Sequence, residues 1–140
     1  MAGRLPPDEA RAMRLQALDD NREATWLEPE NPRHFHQRAW LYFALGDLDA
    51  AERDFGVAIH LRPNSFYHWS RGHFYGNIKK DLPKALADFT MAIQQAEREQ
   101  ADTGHSEYPI EWLYRDRGEL YEALGEPDKA AADFEKAKQR

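Results

Sequence analysis

Six histidines and four tryptophans are the side chains in this 140-residue sequence that most invite chemistry. Histidine holds metals and moves protons, and tryptophan anchors partners. His34 and His36 are two apart on an expected helix and so face different ways. His68 and His73, five apart, are equally poor for one site. His36 and His73 could face each other across a groove, but no carboxylate is spaced to complete a ligand set. The sequence has no H-E-x-x-H, G-x-S-x-G or P-loop pattern. Without cysteine it has no thiol nucleophile, disulfide or cysteine-ligated metal. Asp54, Asp88 and Asp133 recur at matched positions, which is what a structural role demands. No catalytic residue, metal or cofactor is expected, and the chain reads as a non-enzyme.

Composition narrows the class. Hydrophobic residues make up 41% and charged residues 31%, which suits one domain with a real core. No apolar run approaches the roughly 20 residues that span a bilayer, and the first residues contain no apolar signal core. The expectation is a cytoplasmic protein without membrane insertion. The net charge of -6 speaks against a nucleic-acid partner, which wants a basic face. The acidity lies at the ends: residues 1–30 carry four arginines against seven carboxylates, whereas 31–100 are nearly neutral.

The elements that must position these residues are written in an internal repeat. Ala51, Asp54, Phe55, Ala58 and Ile59 recur 34 residues later as Ala85, Asp88, Phe89, Ala92 and Ile93. Ala130, Asp133, Phe134 and Ala137 follow after a further 45, one period plus an 11-residue insertion. Upstream, Arg38-Ala39-x-x-Tyr42, Arg71-Gly72-x-x-Tyr75 and Arg117-Gly118-x-x-Tyr121 are one motif written three times. Ala17, Asp20, Ala24, Leu27 and Pro29 match the second half of a further copy, whereas Arg4, Leu5 and Asp8, at the positions of its first-half motif, do not continue it.

Each copy reads as two helices around a tight turn. Phe35, Ala39, Tyr42 and Leu45 keep helical spacing, and Leu45-Gly46-Asp47 closes one helix and caps the next. Leu61-Arg62-Pro63-Asn64 stops the second. Ala39, Gly72 and Gly118 are expected to let the partner helix approach, with Phe55, Phe89 and Phe134 filling space toward the next pair. Trp26 is expected to pack at the first repeat junction. In the second copy one extra residue and Lys79-Lys80, in place of glycine, predict a distorted turn. Residues 98–107 are expected to lengthen a helix and add a polar loop.

These residues resemble the tetratricopeptide repeat, a 34-residue helix–turn–helix, over about 32–140. The resemblance implies an all-α, right-handed α-solenoid of about seven helices in one domain. Its parts would be an N-terminal capping half repeat at 1–31, repeats at 32–65, 66–97 and 110–140, and an insertion at 98–109. It also implies that the first helix of each pair lines a concave groove. Side chains off the packing stripe would point there: Arg33, His36, Trp40 and Phe43, then Phe66, Trp69, His73 and Asn77, then Trp112, Arg115, Glu119 and Glu122.

Such a groove implies a protein–protein interaction module, an adaptor, scaffold or chaperone that binds a partner peptide or helix through apolar anchors. Asp116, Glu119 and Glu122 would favour a basic one. Chaperone-type arrays hold the Hsp70/Hsp90 C-terminal tail with a clamp of Lys, Arg and Asn. The matching positions here carry His36, Trp40, Ser70, Trp112 and Asp116, so that tail is not the expected partner. The alternatives are a secretion-type chaperone for one client and a self-assembling structural subunit, a homo-oligomer joined by its end helices.

Overall fold

The computed structural model describes residues 6–139, so Arg4 and the outermost residues of the expected first and last segments lie outside it. Seven α-helices and no strand are found among the described residues. They are α1 (Pro7–Leu27), α2 (Pro32–Ala44), α3 (Leu48–Leu61), α4 (Ser65–His73), α5 (Leu82–Thr103), α6 (Ile110–Ala123) and α7 (Pro127–Ala137). The chain divides after Arg62 into two compact units. In the first, α1 packs on α2 and α2 pairs with α3; in the second, α4 pairs with α5, α5 with α6 and α6 with α7.

The helix ends follow from local chemistry. The Asp47 and Asp81 carboxylates accept from the Ala50 and Lys84 N–H groups at 3.1 and 3.2 Å, capping α3 and α5. Gly46 and Gly125, at φ +88° and +77°, close α2 and α6 in the left-handed conformation that glycine adopts freely. There the Asp47 and Glu126 N–H groups reach back to the Tyr42 and Tyr121 carbonyls, both at 2.9 Å.

In the second copy the extra residue is absorbed by widening the helix. After α4 the chain makes a π-helical turn, Phe74–Ile78, in which the Lys79 N–H donates five residues back to Phe74 at 3.1 Å. Asp81 then bonds the Tyr75 carbonyl six residues back at 2.8 Å, so the next helix still starts in step. Lys80 holds the glycine's place at φ +58°, a strained position for a side chain.

The thrice-written motif is a clamp inside each helical pair. Arg38 Nε and Nη2 donate to the two oxygens of Asp54 at 2.6 and 3.0 Å. Arg71 grips Asp88 at 2.9 and 2.9 Å, and Arg117 grips Asp133 at 2.8 and 2.9 Å. All three carboxylates are buried. The motif tyrosine, four residues on, lies against the same guanidinium at 5.6 to 5.8 Å. Arg38 and Arg117 are held firmly protonated by these hydrogen bonds, against the cost of partial burial.

The repeated phenylalanine differs from its expected place. A Cβ on Gly72 would meet the Phe89 ring at 2.8 Å, and one on Gly118 the Phe134 ring at 2.7 Å. The ring therefore seats on the glycine of its own pair rather than only filling space beyond it. Helical spacing puts arginine and its small neighbour opposite aspartate and its phenylalanine. Gly118→Leu is expected to overpack α6 against α7 and cost about 1–3 kcal/mol, read as a lowered Tm; an unchanged Tm would refute this register.

Trp26 is also corrected. It is 84% exposed, because Thr25 and Leu18 are the residues that α1 turns inward and the next position faces away. The Thr25 hydroxyl accepts from Arg38 at 3.2 Å, and the Asn21 amide donates to the His34 carbonyl at 2.7 Å. These contacts fasten α1 to α2. The register-matched Asp20 of α1, however, is exposed and takes the Gln16 amide at 3.2 Å.

Candidate functional site

In the second unit, α4, its π turn and α6 border a cleft of about 420 Å³. Phe89 and Leu82 of α5 line it as well, and Trp69 and Tyr108 form an aromatic wall. The Trp69 and Tyr108 rings stack at 4.5 Å, and His73 stacks on Trp69 at 5.3 Å. Trp69 Nε1 donates to Asp116 Oδ2 at 2.9 Å, which fixes the indole against α6. The body of Trp69 packs on the core of Ala92, Ile93, Ala96, Ile110 and Leu113. Trp69 is thus both core and cleft wall.

The insertion builds this wall. Residues 98–103 continue α5, and Gly104, at φ +86°, ends it. Glu99 on that extension accepts from the Ser65 N–H at 2.8 Å, the Ser65 hydroxyl at 2.6 Å and the Glu107 N–H at 2.8 Å. The Tyr108 N–H in turn donates to Ser65 Oγ at 3.0 Å. The polar loop is thereby strapped to the start of α4, and the strap lays Tyr108 on Trp69. Burial and the nearby Asp116 carboxylate push the Tyr108 phenol up to about 12, so it stays protonated.

Of the residues expected at a groove, Trp69, His73, Asn77, Arg115 and Glu119 come together in this cleft. Phe66 stacks on Trp69 at 6.2 Å without lining it. Trp112, 46% exposed, meets Tyr108 edge-on at 5.8 Å and lies under the Arg115 guanidinium at 5.9 Å. Glu122 is exposed near the end of α6, outside the lining. Tyr108 and Leu82 were absent from the expected set, and Asp116, expected only as a charge favouring a basic partner, lines the cleft. Ser70, a position of the chaperone-type clamp, is fully buried.

In the first unit the expected groove residues form a separate aromatic cluster. Trp40 meets Phe55 at 4.9 Å and Phe43 at 5.9 Å, both edge-on. Trp40 Nε1 lies 3.3 Å from His36 Nε2, so the indole donates and that nitrogen must be unprotonated. Arg33 is exposed at the start of α2.

Burial drives the His36 ring down to about 4 and lowers His68 as well. Between an unfolded value near 6.5 and a folded value of about 4, the unfolded chain binds the proton and the folded one does not. Stability is therefore full above the upper value and falls as pH drops through this window. The His36 share is roughly 2 kcal/mol after allowing for the part of the ring that water reaches. The expected result is a Tm that declines from pH 6.5 to 4, with a shallower decline in His36→Gln; equal slopes would contradict it.

Among the described residues no three His, Asp or Glu side chains come together as a metal site, and no helix is long and apolar enough to cross a membrane. The arrangement can present an aromatic wall and hydrogen-bond acceptors to a ligand.

Known proteins match this architecture. The sequence profile described as the tetratricopeptide repeat matches residues 35–65 and 114–140. Human tetratricopeptide repeat protein 13 is 32% identical over 103 residues, 70% of this chain, and the chain spans only 11% of that protein's length. The crystal structure of MamA superposes with a TM-score of 0.71 at 18% identity, over 89% of this chain and 66% of that one. A tetratricopeptide repeat protein from Parabacteroides merdae gives 0.51 at 19% identity, over 91% and 59%. With repeated clamps, glycine turns and helical pairs in register, this chain belongs to the tetratricopeptide repeat family.

Proposed function

We propose that the chain is a non-enzymatic protein–protein interaction module whose second-unit cleft takes a peptide or helix of a partner protein. The fold supports the general reading, since helical repeats of this family serve as interaction modules. The observation that carries the specific one is the Trp69–Tyr108 wall beside an open cleft of about 420 Å³, within the range of preformed ligand sites. Trp69 is immobilised by stacking and by Asp116, so little side-chain entropy is lost when a ligand lands on it. The exposed Phe43 beside Trp40 is proposed as a further contact surface on the first unit. The role that follows is a cytoplasmic adaptor, scaffold or client-specific chaperone.

The test is affinity capture from the native source with the wild-type chain and with His73→Ala/Asn77→Ala, which removes both partners of one cleft hydrogen bond. A protein held by the first and lost by the second, at unchanged Tm, is the expected result. Equal capture would move binding elsewhere. A second reading, self-association through α1, is favoured by Trp26 and Leu27, 84% and 69% exposed near its end. Light scattering would reveal it as a mass that rises with concentration.

A further inference from the structure

We infer that the cleft is built for a guanidinium: the partner segment it takes presents an arginine. This rests on the peptide-binding reading above and specifies its chemistry. Asp116 and Glu119 of α6 contribute carboxylates. Asn77 gives one amide N–H to His73 at 2.8 Å and has its carbonyl oxygen to present as an acceptor. The indole N–H of Trp69 is already given to Asp116. The walls thus offer carboxylate and carbonyl acceptors, and the cation among them is Arg115.

Arg115 shows what the surface favours. Its guanidinium lies over the Trp112 ring at 5.9 Å with Nε 3.8 Å from Asp116, a cation between an aromatic face and a carboxylate. It is exposed and loosely held, and Glu119, one helical turn from Asp116, is left exposed. A guanidinium carries five donors and no acceptor, and so complements these carboxylates and this carbonyl. Its planar form also suits stacking on aromatic walls better than an ammonium does. A partner carboxylate would instead meet Asp116 and Glu119 and be repelled. The net charge of -6 adds a long-range pull on a basic segment.

The π turn belongs to the same design. Asn77 lies in this turn at the cleft edge, four residues from His73, and the next helix keeps its step. Such turns are frequent at functional sites.

The experiment uses the whole chain, labelled with ¹⁵N, and four degenerate hexapeptide libraries fixed at one central position as arginine, citrulline, lysine or glutamate. The Trp69 indole N–H resonance reports binding. Citrulline keeps the shape of arginine and removes its charge. The expected result is that the arginine library shifts this resonance with affinity about tenfold above citrulline and more above glutamate. Glu119→Gln, an exposed substitution that leaves folding intact, should cut the arginine affinity about threefold and leave the citrulline affinity unchanged. Equal shifts by arginine and citrulline, or a preference for glutamate, would overturn the guanidinium assignment and leave the cleft as a peptide site. No shift from any library would overturn the cleft reading itself.

Discussion

Asp54→Ala is expected to destabilise the first unit by about 2–4 kcal/mol, because it strips a partly buried guanidinium of its fully buried charge partner. Arg38 would keep only the Thr25 hydroxyl, at 3.2 Å, and its stacking on Phe35 and Tyr42. A lone charge in that setting cannot recover its hydration, so the loss exceeds what the clamp contributes when intact. Replacing both partners, Arg38→Met with Asp54→Leu, should therefore cost much less than the single change. Chemical denaturation of the three variants and the parent measures this directly. A single-variant loss below about 1 kcal/mol, the range of an exposed pair, would mean that the clamp is a surface contact.

Glu99→Ala is expected to cost about 2–4 kcal/mol, because one carboxylate anchors three donors on two segments and each charge-assisted bond contributes about 1.5–3 kcal/mol gross of relaxation. Its consequence reaches the cleft. With Ser65 and Glu107 released, Tyr108 loses the strap that lays it on Trp69. The expected signature is a lowered Tm together with a changed near-ultraviolet spectrum from the Trp69–Tyr108 stack. Glu99→Gln keeps an acceptor and should fall between. A Glu99→Ala variant with the parent's Tm and aromatic spectrum would show that the loop holds itself.

These two carboxylates differ in how far the sequence announces them. Asp54 repeats as Asp88 and Asp133, and its arginine repeats in step, so a structural role was legible although the pairing itself was not. Glu99 has no counterpart in the other copies, because it lies where the insertion breaks the period. Tyr108 lies in the same insertion, and self-comparison places only residues that have an equivalent. The extra residue of the second copy was visible as a count of 13 against 12 between motif and alanine. Its resolution as a π turn was not, since a turn can absorb a residue in several ways.

Trp26 and Trp69 mark a different limit. Both are tryptophans on helices with amphipathic spacing. The neighbour of Trp26 is the buried Thr25, so the indole turns away from the core. Trp69 has its edge caught by Asp116, 47 residues further along the chain. Periodicity reports which stripe of a helix is apolar; it does not report a partner supplied by another helix. The same holds for Phe89, whose seat on Gly72 depends on the spacing of two helices rather than on either one.

The proposed function is tested most directly by site-specific photocrosslinking in an extract of the native source. A photoreactive phenylalanine derivative replaces Ala123, exposed at the cleft edge, in one protein and Glu97, exposed on α5 and outside the cleft, in another. The expected result is one discrete protein adduct from position 123, absent from position 97 and suppressed by an excess of the arginine-fixed peptide library. Adducts from position 97 alone, or the same adducts from both, would contradict a binding site in the Trp69 cleft.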